Sequence, residues 1–447
     1  MIYECSTVVY FLIFRLKFQH KMINDLTKMY KDQRWLVAHN AWNTNQWPDY
    51  NNQMKTITEL LDYGVRGFAL DIYGSEENSL HLQHGHANDA TSIKWSIIAN
   101  EIATWMNKSV NKNEVVSLFF ESYLKGPKTP GEQTALTGLQ NSLVTICGNF
   151  YIPGKTAQLD ALNTKTLQQL VDGEKDSSGI VITKPQRLFA FLEKEPDEGT
   201  QDLFPVMIGV FAENDYGDPS LKMGKWVNLR DNSSYTNGFT FMNHFGNRPT
   251  GSEWNRNNPE LIEKHANAFV YAYGGRYPNF ISLDKINWKD NDLTTGPIIA
   301  INNLQQLADV LTSGFKWDDR NGCDNYEYSM IPDGMLTSLS VETAKGKGIV
   351  KIIPVFAMLD PLTPNAIDNL SYIDAIQLVN VAKHGAVNLR YRIKGGNWGN
   401  WLTPFEQLTD PNDANLATHE ASSPIVGICA RLGDGYGVTD FAIAFKK

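Results

Sequence analysis

Between residues 35 and 313, short apolar runs alternate with stretches whose apolar residues recur at helical spacing, which predicts a β/α domain. The runs predict strands over 35–39, 67–73, 115–121, 187–192, 206–212, 239–245 and 279–284. Helical spacing predicts helices over 51–63, 93–107, 259–273 and 297–312, the first stopped by Gly64 and the third by Gly274-Gly275. Seven or eight such units predict a closed α/β barrel, with its site at the C-terminal ends of the strands. After about Asn321 the period changes. Val387, Leu389, Tyr391 and Ile393 alternate with Asn388, Arg390, Arg392 and Lys394, the pattern of a strand with one buried face. Runs at 335–343 and 349–359 flank Lys345-Gly346-Lys347-Gly348, and runs at 425–432 and 438–445 flank Gly433-Asp434-Gly435-Tyr436-Gly437; both predict hairpins. The expected organisation is an N-terminal extension over 1–29, a barrel over 30–318 and a smaller all-β C-terminal domain over 325–447, either a sandwich or prism-like.

Composition narrows the partners. The 447 residues carry 40 Lys and Arg against 49 Asp and Glu, a net charge of -9, which opposes a nonspecific grip on nucleic acid or an anionic bilayer. No apolar stretch reaches the roughly 18 residues that span a bilayer, so a soluble protein is expected. The apolar run at 8–14 follows Glu4 and precedes Arg15 and Lys17, with no small-residue cleavage site, which is not the pattern of a secretory signal. Four scattered cysteines leave the redox compartment open.

The candidate chemistry gathers at the predicted strand ends. His39 and Asn40 close the first run, Asp71 lies near the end of the second, Glu121 closes the third, and His84 sits in Leu82-Gln83-His84-Gly85-His86. In a barrel these ends converge on one rim, bringing two imidazoles, an amide and two carboxylates into one pocket. Such a set suits phosphodiester cleavage. Two imidazoles in opposite protonation states supply the base and the acid near neutral pH. Asn40, Asp71 and Glu121 offer three hard oxygen ligands suited to Ca²⁺, with Mg²⁺ as the alternative ion. Trp42 and Trp47, close behind His39, are predicted to touch lipid headgroups.

These segments, in this order, resemble the X-domain of phosphatidylinositol-specific phospholipase C. The resemblance runs from Trp35 to about Leu311, through Val37-Ala38-His39-Asn40, Gly64-Val65-Arg66-Gly67, Leu70-Asp71-Ile72-Tyr73, His84-Gly85, the run from Glu114 to Glu121, Gln186-Arg187-Leu188 and Arg276-Tyr277-Pro278-Asn279-Phe280-Ile281. It implies a TIM-type barrel in which His39 is the general base for the inositol 2-hydroxyl and His84 the general acid for the diacylglycerol oxygen. It also implies that Asp284 orients His39, that Arg187 binds substrate, that a phosphodiester lipid is the substrate with peripheral membrane contact, and that the protein is secreted. Two positions depart from the family. Calcium-dependent members carry an acidic residue where this chain has Ala69, and metal-independent members carry an Arg where it has Tyr73. Two alternatives stay open: a glycerophosphodiesterase or sphingomyelinase-D-like enzyme, and an inactive barrel that binds lipid or carbohydrate. Trp398 and Trp401, in a glycine-rich turn, are candidates for a glycan or lipid ligand of the C-terminal module.

Overall fold

Among the described residues of a computed structural model, seven parallel strands organise the first part of the chain. They are β1 (Trp35–Ala38), β2 (Gly67–Gly74), β3 (Val116–Leu124), β4 (Leu188–Leu192), β5 (Phe211–Glu213), β6 (Phe239–Asn243) and β7 (Phe280–Leu283). The structure describes residues 25–446 other than 43–50, 84–91, 125–129, 176, 194–201, 217–228, 231–233, 235–236, 247–255, 287–295, 308–309, 315–325, 332–333, 345–347, 359–370, 382–384, 403–413 and 434–436. The parallel strands pair in the order β4-β3-β2-β1-β7-β6-β5, so the first strand lies between the second and the last. Among the described residues β4 and β5 do not pair directly; Leu192 instead makes a parallel bridge to Val206.

The interior is aromatic. Phe119 packs on Phe191, Phe211, Phe241 and Phe280 with ring centroids 5.0 to 5.8 Å apart. At the N-terminal ends of the strands the fully buried Tyr30 fits among Trp35, Phe189, Phe239 and Phe280, with its hydroxyl bonded to Ser117. The segment before it belongs to the same unit: Leu167 N–H donates to Lys28 O and Gln168 N–H to Leu26 O. The predicted extension over 1–29 therefore ends earlier, by Asp25.

Three predicted elements are corrected. The helix expected over 51–63 spans only Ile57–Tyr63, because Thr56 and Glu59 form a capping box that starts it late. The strand expected over 206–212 is interrupted by a helical turn, Met207–Val210, and resumes at Phe211. The helix expected over 297–312 stops at Gln305, and Val310–Gly314 is a strand paired with Gly437–Lys446. Its β-branched Val310 and Thr312 suit a pleated strand better than a helix interior. That strand belongs to the second unit, whose described residues lie in His265–Tyr277 and Leu307–Lys447. The division of the chain thus falls after Gln306 rather than at 318.

The second unit holds both expected hairpins, Gly334–Ala344 with Gly348–Met358 and Ile425–Gly433 with Gly437–Lys446. Among the described residues its strands form antiparallel sheets of four, two and three strands, and all three contribute to one core that includes Leu339, Ile352, Ile376, Leu389, Ile428 and Phe441. Trp398 and Trp401 are engaged by this unit's own arginine, with the Arg390 guanidinium 5.3 and 4.3 Å from their ring centres. No helix among the described residues is long and apolar enough to cross a membrane.

Gly67 opens the strand that carries Asp71 and pairs with Val37. A Cβ there would lie 2.6 Å from Val37 Cγ2, inside a fully buried contact. Gly67→Ala is expected to cost about 1–3 kcal/mol by overpacking, read as a lower urea midpoint; an unchanged midpoint would contradict that packing.

Candidate active site

His39 follows β1 directly and Asp284 follows β7. Because Ala38 pairs with Leu283, the next residue on each strand emerges at the same rim. His39 N–H donates to Leu283 O, and His39 Nδ1 lies 2.9 Å from Asp284 Oδ1. The carboxylate is buried at 1% side-chain exposure while the imidazole is 21% exposed, so the pair runs from the protein interior towards solvent. The other face of the ring is fixed by Phe245, stacked 3.7 Å away at 9°. A proton on Nδ1 shared with Asp284 leaves Nε2 as the nitrogen that accepts a proton.

Asp71 and Glu121 are direct partners in the β2–β3 ladder, which sets their side chains next to each other. Both line a cavity that is open to solvent, together with His39 and Asn40. Asn40 is buried and has φ of 43°, a conformation that Asn tolerates better than most residues. Four of the residues read from the sequence are thereby brought together.

The rest fall elsewhere. His84 and Trp47 lie outside the described residues. The chain reaches the rim just before His84, since Gln83 N–H donates to Asp71 O at 3.3 Å. Trp42 is 4% exposed, so it packs inside the protein and does not present its ring to lipid. Arg187 precedes β4 and therefore lies at the opposite end of the sheet from His39. Its guanidinium is buried, donates to the carbonyls of Asn111 and Met106 and stacks over Phe150, and burial pulls its pKa down from the ordinary arginine value. The substrate-binding role expected of Arg187 is corrected to a structural one.

Several cavity residues went unread in the sequence. Glu193 and Glu213 stand at the ends of β4 and β5, and both line the cavity. Arg230 bridges them, with Nη2 2.5 Å from Glu193 Oε1 and Nη1 3.0 Å from Glu213 Oε1, and lies over the Tyr216 ring. Those carboxylates hold its charge more firmly than an ordinary arginine's, against the cost of its burial. The two glutamates follow the strand-end rule that located Asp71 and Glu121; the predicted strands at 187–192 and 206–212 stopped one residue short of them. Arg230 has no such signal.

Among the described residues the cavity has four carboxylates, Asp71, Glu121, Glu193 and Glu213, against one guanidinium already bound by two of them. The local field is negative. Burial, and then the charges of Asp71 and Glu121, push the Tyr73 phenol up to about 12. Burial, followed by the hydrogen bond it donates to Glu121, pushes Tyr123 higher still. Two carboxylates set side by side without a cation repel each other. The amide of Asn40 beside them completes an all-oxygen donor set that fits a hard divalent ion, though among the described residues no cluster of three or more His, Cys, Asp or Glu is gathered as for a metal.

With this geometry in place, the PI-PLC X family model, described as PI-PLC X 1, matches residues 26–294. The chain belongs to the PI-PLC X family. A curated relative, a PI-PLC X domain-containing protein of Arabidopsis thaliana, is 25% identical over 288 residues, which take in 60% of this chain and 62% of that protein. The chain thus spans less than two thirds of the relative's length. Among solved structures, a phosphatidylinositol-specific phospholipase C from Staphylococcus aureus is similar at a TM-score of 0.41 and 13% identity, covering 64% of this chain and 95% of that one. The corresponding enzyme from Listeria monocytogenes is similar at 0.40 and 11%, covering 64% and 96%. Likeness at that level says nothing about chemistry. Within the PI-PLC X family, the departures at Ala69 and Tyr73 now have surroundings: Ala69 lines the cavity without adding a ligand, and Tyr73 stacks on Tyr123 with centroids 4.7 Å apart.

Proposed function

We propose that this member of the PI-PLC X family is a phosphodiesterase on a TIM-type barrel that cleaves phosphatidylinositol, or a related phosphodiester lipid, at the rim carrying His39. The observation that carries the reading is the His39–Asp284 pair, whose imidazole lines a carboxylate-rich cavity with Nε2 left to act. In the forward step His39 Nε2 takes the proton of the inositol 2-hydroxyl as its oxygen bonds to phosphorus. The bond from phosphorus to the diacylglycerol oxygen breaks, and that oxygen takes a proton from His84. The products are diacylglycerol and a cyclic inositol phosphate. Asp284 holds the ring so that the accepted proton leaves an imidazolium beside a carboxylate, a favourable pair at low exposure.

The substrate's phosphate is an anion entering a negative cavity, and Arg230 is already spent on Glu193 and Glu213. This supports a divalent cation, with Ca²⁺ favoured, held by Asn40, Asp71 and Glu121. Bound there, it would supply positive charge against the charge that builds up on the phosphoryl oxygens. Chelation is expected to lower turnover at least about tenfold, with recovery on adding Ca²⁺. Asp71→Asn is expected to weaken Ca²⁺ binding measured directly by calorimetry. A rate and a binding isotherm indifferent to chelator and to Asp71→Asn would defeat the metal assignment.

Phosphatidylinositol vesicles and glycerophosphocholine, assayed side by side, test the substrate class. Turnover of the first alone fits the reading, and turnover of the second alone would assign the glycerophosphodiesterase alternative instead.

A further inference from the structure

We infer that Asn52 and Gln53, in the loop after β1, are positioning residues that clamp the ends of β1 and β7 together and fix the tautomer of His39. The inference rests on His39 acting as the base, as proposed above. Asn52 is 2% exposed and Gln53 is fully buried, and both bond to the His39–Asp284 corner. Asn52 Nδ2 donates to Asp284 Oδ1 at 2.9 Å, the same oxygen that faces His39 Nδ1, and lies 3.3 Å from that nitrogen. The Asn52 backbone carbonyl accepts from Lys285 N–H at 2.5 Å. The Gln53 amide donates to His39 O at 2.8 Å and to Leu283 O at 2.9 Å, while its Oε1 accepts from Ile286 N–H at 3.2 Å. Lys285, inside this corner, is held at φ of 53°, a backbone conformation costly to a side chain of this kind and sustained only where its surroundings over-determine it.

The chemistry follows from what each group can donate. A carboxylate oxygen only accepts, so with Asn52 Nδ2 and His39 Nδ1 converging on Asp284 Oδ1, that oxygen is the acceptor for both. His39 therefore carries its proton on Nδ1, and Nε2 is kept as the acceptor. Without the Asn52 amide, Asp284 can swing about its own torsion and the imidazole can exchange tautomers, so the base spends part of its time with the wrong nitrogen protonated. Gln53 acts on the backbone beneath: it ties the carbonyl of His39 to that of Leu283, so the two strand ends cannot part. A misplacement of the base by about 1 Å costs on the order of a hundredfold in rate.

The test reads the ring directly as well as the rate. In full-length protein with ¹⁵N-labelled histidine, wild type is expected to show His39 as the Nδ1–H tautomer, with a downfield proton resonance shared with Asp284. In Asn52→Leu that resonance is expected to broaden or disappear and the Nε2–H tautomer to appear. On phosphatidylinositol vesicles the same variant is expected to lose about a hundredfold in kcat with KM within about twofold. If Asn52→Leu does not fold, Asn52→Ser, which is smaller and also withdraws the amide, is read the same way. An unmoved ring spectrum in a folded variant overturns the inference, as does an unchanged kcat in an active enzyme. Should wild type cleave no phosphodiester, the proposed reaction falls, while the ring spectrum alone still decides whether Asn52 sets the tautomer.

Discussion

His39→Ala is expected to lower turnover of phosphatidylinositol by about 10²- to 10⁴-fold while the protein stays folded. The fold should survive because the ring sits at the rim, 21% exposed on its side chain, and its main partner is a carboxylate rather than the hydrophobic interior. Catalysis should not, because no other described imidazole lines the cavity. Asp284→Asn separates the two parts of the pair. The asparagine fills the same space, but it can present an NH₂ to His39 Nδ1, which drives the ring proton to Nε2 and removes the base. Its loss should therefore approach that of His39→Ala even though the imidazole remains. The measurement is initial rate on phosphatidylinositol vesicles, with circular dichroism on the same samples. A His39→Ala protein that turns over at the wild-type rate would remove this residue from the chemistry altogether.

The largest expected effect on stability lies at the other end of the strands. Arg66 and Glu114 form an ion pair at 2.9 Å with side-chain exposures of 1% and 6%. The guanidinium also donates to the carbonyls of Leu61 and Val65, each at 2.7 Å, and lies 4.9 Å over the Trp105 ring. Arg66→Met keeps much of the volume but strips two carbonyls of a donor and leaves Glu114 buried without its nearest cation. Breaking a buried pair from one side costs about 3–5 kcal/mol, a large share of the roughly 5–15 kcal/mol that holds a domain folded. The urea midpoint should fall accordingly. Arg66→Met combined with Glu114→Leu should recover part of the loss, because the uncompensated charge is then gone. A single variant within about 1 kcal/mol of wild type would mean that water reaches the pair.

Both positions bear on what the sequence can disclose. Strand positions are legible where apolar runs are short and bounded, as at Trp35–Ala38 and Gly67–Gly74, and the residues at their C-terminal ends are then legible as site candidates. His39, Asn40, Asp71 and Glu121 were found this way. Glu193 and Glu213 obey the same rule, and a one-residue error in a strand end was enough to hide them. Asn52 and Gln53 could not be read, because their role comes from bonds to a strand more than two hundred residues away, and local pattern carries no trace of such a pairing. Arg230 is hidden because its place is set by ion pairs with Glu193 and Glu213 on two other strand ends, which no local pattern marks. Arg187 and Trp42 mislead in the opposite direction. A charged or amphipathic residue near a motif looks functional, but burial decides its role: Arg187 lies buried at the far end of the sheet, and Trp42, though close behind His39, is packed inside. The helix expected over 297–312 runs into the strand Val310–Gly314 as far as Thr312, because residues beside a helical pattern look like its continuation until the partner strand at Gly437–Lys446 is known.

The central claim is that the site makes a cyclic phosphodiester by attack of a hydroxyl within the substrate itself. Phosphorus-31 NMR of phosphatidylinositol vesicles with purified full-length protein tests it directly. The account predicts a cyclic inositol phosphate resonance that grows with wild type and is absent with His39→Ala. A product that first appears as an acyclic inositol phosphate, or as phosphatidic acid, would contradict it.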